Sequence, residues 1–167
     1  RELAEEAGVA DSKIIPLKVY SGKNRDPRGW IISAAFISLT NTVELSTAAD
    51  SDAANAEWLS IRWEVTDKTE KLIISDDETT LEIIADDGKV IKSDFPFDHG
   101  MIIYDAFKKL QDEVRYHDII FDLMPEFFTV SDLHGPYQMI LQKNESVQAF
   151  RKRMTPKIEE TEMYDNT

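Results

Sequence analysis

Glu2, Glu5 and Glu6 stand at i, i+3 and i+4 in Arg1-Glu2-Leu3-Ala4-Glu5-Glu6-Ala7-Gly8-Val9, a spacing that a helix gathers onto one face within one turn. Leu3 and Ala7 point the other way, toward a core, and Gly8 suits the left-handed residue just past a helix end. Three carboxylates so close repel one another unless a cation sits among them, and Glu oxygens suit Mg²⁺ or Mn²⁺. In a chain with 32 acidic and 19 basic side chains the same residues also read as a solvated acidic face. A second group, Arg25-Asp26-Pro27-Arg28-Gly29, lies between two strand-like runs, where Pro27 stiffens the turn and Gly29 relaxes it. Its two guanidinium forks, Arg25 and Arg28, suit phosphate or carboxylate oxygens, or pair with nearby acids. A third group is Gln148, Arg151, Lys152, Arg153 and Lys157, with Phe150 and Met154 at i and i+4 as inward anchors. A basic island of this kind suits nucleic-acid phosphates; a small helical bundle used for dimerisation, with a solvated basic face, is the alternative.

The elements that must hold these groups follow from the patterning. Ile14 to Tyr20 and Trp30 to Thr40 read as strands flanking the arginine loop, Thr42 to Ala54 as a solvent loop, and Glu57 to Glu64 as a short strand. Lys71 to Ser75 and Thr80 to Ala85, followed by Asp87-Gly88, read as a hairpin or a pair of edge strands. From His99 to about Arg115, Ile103, Phe107, Leu110 and Val114 recur at helical spacing. Beyond it the signals are helical: Asp118 to Met124, Ser131 to Leu141 capped by Thr129 or Ser131, and Ser146 to Ile158. A domain boundary is placed near Tyr116 to Asp118. Trp30, Trp58 and Trp63 could stack a base, although strand aromatics more often enter the core.

The net charge of -13 argues against a general nucleic-acid coat or an anionic-membrane binder. Residues 134–158 differ, carrying five basic groups and one acidic. Any such contact is therefore local. Cysteine is absent, which removes disulfides, thiolate zinc sites and cysteine nucleophiles and suits a reducing cytoplasm. No apolar run approaches the roughly 20 residues that span a bilayer, so a soluble protein with no membrane partner is expected. His99, His117 and His134 lie in separate contexts, and nothing suggests a Ser-His-Asp arrangement.

Arg-Glu-aliphatic-x-Glu-Glu-x-Gly-aliphatic, met at Arg1 to Val9, is the second half of the Nudix box, and the sequence resembles a Nudix protein. The first half of the box would precede Arg1, so an N-terminally incomplete chain is expected. The resemblance implies Glu2, Glu5 and Glu6 as ligands of Mg²⁺ or Mn²⁺, Glu2 and Glu6 as catalytic residues with Glu2 assisting water deprotonation, and Arg1 steadying a carboxylate. Bound metal would neutralise phosphate charge and generate the nucleophile from water. Arg25-Asp26-Pro27-Arg28-Gly29-Trp30 with Ser33, together with Asp52 to Trp58 and Phe97-Asp98-His99, looks like the ADP-ribose-handling and NrtR-like branch, and makes Arg25, Asp26 and Arg28 substrate-binding candidates. Phe127 to Leu133 with Tyr137, then Val147 to Met154, resembles the winged-helix domain of NrtR-like proteins, which makes Gln148, Arg151, Lys152 and Arg153 DNA-binding candidates.

The expectation is an α/β chain: a Nudix α/β/α sandwich with a mixed sheet over 1–116, its N-terminal part missing, then a small winged-helix-like α domain over 117–167, its wing missing or incomplete. The leading function is metal-dependent hydrolysis of a nucleoside diphosphate derivative such as ADP-ribose. The competing one is a DNA-binding regulator whose Nudix domain senses an NAD-related metabolite, and a homodimer suits both. A catalytically idle partner domain is the third reading.

Overall fold

The computed structural model describes residues 13–40 and 57–159. Strands β1 (Lys13–Tyr20) and β2 (Ser33–Leu39) pair antiparallel, with Ile14 opposite Ser38 and Pro16 opposite Phe36. The register shifts between Pro16 and Lys18, next to the residue that has no N–H to give the ladder. A second sheet is an antiparallel meander of β3 (Ser60–Thr66), β4 (Thr69–Ser75), β5 (Thr80–Asp86) and β6 (Lys89–Ser93), in that order. Asp87 and Gly88, at φ 47° and 76°, make the tight β5–β6 turn, and the Asp76 carboxylate accepts from the backbone N–H groups of Glu78 and Thr79 at 2.9 and 2.6 Å to close β4 onto β5. Every ladder among the described residues is antiparallel.

Helix α1 (His99–Tyr116) belongs to both apolar clusters of the described residues. Its Tyr104 and Phe107 pack on Trp63, Leu72, Ile74, Ile83 and Ala85 of the meander, with the Phe107 ring 5.0 Å from that of Trp63. Its Val114 joins Ile15 and Leu39 of the β1–β2 pair and the residues that follow: Ile119 and Ile120 of a 3-10 turn (Ile119–Leu123), Leu133, Tyr137 and Ile140 of α2 (Val130–Leu141), and Phe150 and Met154 of α3 (Val147–Met154). The chain position expected for a domain boundary, Tyr116 to Asp118, is the C-terminal end of α1, and residues on both sides of it share this second cluster.

Several expectations shift. Arg1 to Ala7, and the loop from Thr42 to Ala54, lie outside the described residues. The run expected from Trp30 enters the ladder only at Ser33, and the short Lys89–Ser93 strand, lysine at one end and serine at the other, had no readable alternation. Its presence, with β3 on the other side, makes β4 and β5 central strands as well as a hairpin. Asp118 to Met124 forms a 3-10 turn, and α3 stops at Met154 before a further 3-10 turn over Thr155–Lys157, where Pro156 cannot donate. The buried stripe of α1 runs through Tyr104 and Gln111, leaving Ile103 partly buried beside it, because both polar side chains find partners inside: Tyr104 Oη donates to Glu70, and Gln111 Nε2 donates to the Ile140 carbonyl at 2.7 Å.

Candidate functional site

The C-terminal helices form a pair joined by residues 142–146. Helix α2 starts with a capping box: Thr129 Oγ1 accepts from the Asp132 N–H at 3.2 Å, and the Asp132 carboxylate accepts from the Thr129 N–H at 2.9 Å. Helix α3 starts at Ser146, whose Oγ accepts from the Ala149 N–H at 3.2 Å. Gln142, at φ 48°, takes the left-handed conformation that ends α2. Phe150 is fully buried between His134 and Tyr137, ring centroids 4.8 and 5.1 Å away, and Met154 sits in the same cluster. That packing fixes which side of α3 faces out.

Gln148, Arg151 and Lys152 lie on the outward side, exposed, and their side chains have no partner among the described residues. Arg153 is different. Its guanidinium pairs with the Glu145 carboxylate and lies over the rings of Tyr137 and Phe150, 4.5 and 5.1 Å from their centroids. Lys157 also has an acidic partner, Asp118. Two cations and one amide of the expected nucleic-acid set are therefore presented together, while Arg153 and Lys157 are engaged within the protein.

The arginine loop is closed on itself and on α1. Arg25 makes a two-pronged contact with Asp98, Nε to Oδ2 at 2.7 Å and Nη2 to Oδ1 at 3.2 Å, and its Nη1 donates to the Ile31 carbonyl and to Ser33 Oγ. With the side chains of Arg25 and Asp98 only 11% and 13% exposed, this fork is occupied by protein oxygens. Arg28 folds back onto Asp26 through Nε and Nη2, and Asp26 also accepts the Arg28 backbone N–H at 2.9 Å. Hydrogen bonding from Arg28 holds the Asp26 carboxyl down at about 2. Arg28 is the loop's outward cation, and Trp30, exposed, donates its Nε1–H to the Ser21 carbonyl. The loop thus brings Arg25, Asp26 and Arg28 together, with Arg25 turned to structure. Asp98, on the far side of the pair and 73 residues away, is the member that spacing could not reveal.

Glu2, Glu5 and Glu6 lie outside the described residues, and no group of three His, Cys, Asp or Glu side chains able to hold a metal ion occurs among the described ones. The histidines are dispersed: His99 meets Phe97 edge-on, His117 Nδ1 stands 2.8 Å from Glu113, and His134 is buried against Phe150. Trp63 is a core residue of the meander. No helix of the described residues is long and apolar enough to cross a membrane.

No family model matches the chain. Among curated proteins it is similar to the ADPR responsive transcriptional repressor NtrR of Acinetobacter baylyi, 27% identical over 164 residues that cover 97% of this chain and 55% of that protein. Among solved structures it is similar to a MutT/nudix family protein from Enterococcus faecalis, with TM-score 0.73 at 23% identity over 95% of this chain and 61% of the other. The fold is the Nudix fold. A further similar structure is that of Shewanella oneidensis NrtR, TM-score 0.59 at 20% identity over 92% of this chain and 59% of that one. The chain spans little more than half the length of the curated relative that it resembles.

Proposed function

We propose that the chain is part of a DNA-binding Nudix regulator that responds to an ADP-ribose-like nucleotide. The observation that carries this reading is the side of α3 opposite Phe150 and Met154: it presents Gln148, Arg151 and Lys152 to solvent in a chain whose net charge is -13. A protein so acidic approaches DNA only through a local basic patch, and a capped helix turned outward by its buried residues is a suitable one. The name of the Acinetobacter relative, an ADPR-responsive repressor, supports the same reading and supplies the ligand class. The region over 117–167 is then a winged-helix-like module, the whole protein acts in the cytoplasm as a homodimer, and the ligand shifts DNA affinity through linked states.

The test is fluorescence anisotropy of the complete protein with the duplex upstream of its own gene, titrated from about 50 to about 200 mM salt with and without ADP-ribose. Binding that weakens steeply with salt and is released by ADP-ribose is the expected result. Binding that is absent, or indifferent to salt, defeats the reading.

Hydrolysis is the second reading, favoured by the spacing of Glu2, Glu5 and Glu6. Those carboxylates would hold Mg²⁺ or Mn²⁺, which supplies charge neutralisation at the diphosphate and activation of water. Release of AMP and ribose 5-phosphate from ADP-ribose by the complete protein with Mg²⁺, abolished by Glu6→Gln, is its expected signature. Inactivity across a panel of nucleotide sugars and dinucleotides removes it.

A further inference from the structure

The turn between α2 and α3 is held at one residue. The backbone carbonyl of Glu145 accepts from Gln138 Nε2 at 3.1 Å and stands 3.1 Å from His134 Nε2, so two side chains of α2 converge on it. The Glu145 carboxylate, only 15% exposed, pairs with Arg153. Arg153 sits near the C-terminal end of α3, yet its guanidinium returns to the turn that precedes the helix and covers Tyr137 of α2 and Phe150 of α3 on the way. One side chain therefore touches the turn, α2 and its own helix.

A guanidinium used in this way is poorly placed to neutralise a phosphate. Its charge already faces a carboxylate that is largely withdrawn from water, and moving it away would leave that carboxylate without its cation. Its charge also lies over two aromatic rings, so swinging it outward gives up those contacts. Arg151 and Lys152, two positions and one position earlier, carry no such commitment among the described residues.

We infer that Arg153 is a positioning residue which, through Glu145, fixes the placement of α3 on α2, and that phosphate contact at this helix belongs to Arg151 and Lys152. The inference rests on the DNA-binding reading above and divides the basic cluster of that reading into two roles.

The two roles separate in a salt titration of the complete protein with the upstream duplex. Each phosphate contact removed lowers the magnitude of the slope of log K against log salt by roughly 0.9. Arg151→Gln and Lys152→Gln are expected to do so. Arg153→Gln is expected to weaken binding about tenfold with the slope unchanged, and Glu145→Gln to weaken it similarly, the double variant being no worse than either single one. If Arg153 instead met a phosphate, Glu145→Gln would free it and tighten binding, and Arg153→Gln would flatten the slope; either result overturns the assignment. Hydrogen exchange without DNA supplies an independent reading: the amides of α3 should exchange faster in Glu145→Gln and in Arg153→Gln, to the same extent. Unchanged exchange in both overturns the positioning role even if DNA binds. Absent binding by the unaltered protein removes the DNA reading, and with it the role of Arg151 and Lys152, while the exchange result still decides whether Arg153 holds α3.

Discussion

Arg25 shows how one side chain can carry a phosphate-binding signature and spend it on the fold. Its fork is filled by Asp98, with Ser33 Oγ and the Ile31 carbonyl taking a further N–H. Removing one partner of a buried pair leaves the other uncompensated, so Arg25→Met should cost about 3 kcal/mol in urea unfolding. Arg25→Lys, which keeps the charge and loses the second prong, should cost about 1 kcal/mol. A neutral Arg25→Met would show that the loop does not depend on the pair. Asp26 makes a different prediction, in pH. Its folded-state carboxyl, held at about 2, lies below the ordinary value of 3.8, so the contribution of the Asp26–Arg28 contact is complete above that ordinary value and lost as pH falls through about 2. Carboxyl NMR titration should place the Asp26 midpoint near the lower value, and Arg28→Gln should move it up toward the ordinary one. The string Arg25 to Gly29 was legible as two clustered guanidinium groups. Which oxygens fill them was not, because Asp98 enters the loop only through the fold.

At the scale of elements, Gly100 decides how closely α1 lies on β6. A Cβ built there would stand 2.0 Å from Ser93 Oγ and 2.6 Å from Ser93 Cβ, and that Oγ is held by the Phe95 N–H at 3.0 Å. Alanine is the better helix residue by about 1 kcal/mol, but overpacking of this kind costs more, and a net loss of about 2 kcal/mol is expected for Gly100→Ala. The same substitution in a Ser93→Gly background should cost less, since both close atoms are gone. Equal costs in the two backgrounds, read from denaturant midpoints, would place the strain elsewhere. Much of the element order could be read beforehand: the β-branched runs of β1, β4 and β5, the helical spacing of α1, and a cap for α2 at Thr129 or Ser131, of which the structure uses Thr129. What could not be read were features without a periodic signal. Strand β6 is five residues long and takes its partner from β5, and the buried polar positions Tyr104 and Gln111 look like surface until Glu70 and the Ile140 carbonyl are placed beside them. The outward side of α3 was legible, because Phe150 and Met154 at i and i+4 define its opposite; the commitment of Arg153 was not, because Glu145 precedes the helix and meets it only through the turn.

Across the whole molecule, α1 makes the meander and the C-terminal helices mechanically dependent on one another. Its first half packs Tyr104 and Phe107 on Trp63, and its last turn packs Val114 among Ile120, Leu133 and Phe150. Two hydrogen bonds reinforce this: Gln111 of α1 donates to the Ile140 carbonyl of α2, and Gln142, just after α2, donates to the Trp63 carbonyl of β3. A rigid helix shared by two apolar clusters gives neither cluster a complete core when the other opens, so the described residues should unfold as one cooperative unit. Phe150→Ala tests this from the end remote from the meander. Emptying a fully buried phenylalanine site costs about 4 kcal/mol. Trp63 is 6% exposed whereas Trp30 and Trp58 are 69% and 53% exposed, so the change in indole emission on unfolding reports chiefly on the meander. The denaturant midpoint seen by Trp63 emission should therefore fall together with the far-UV helix signal, although Phe150 belongs to the other apolar cluster. A helix signal that shifts while the Trp63 midpoint stays in place would mean that α1 divides between two independent units, and a change in the meander would then have no route to α3 through this helix.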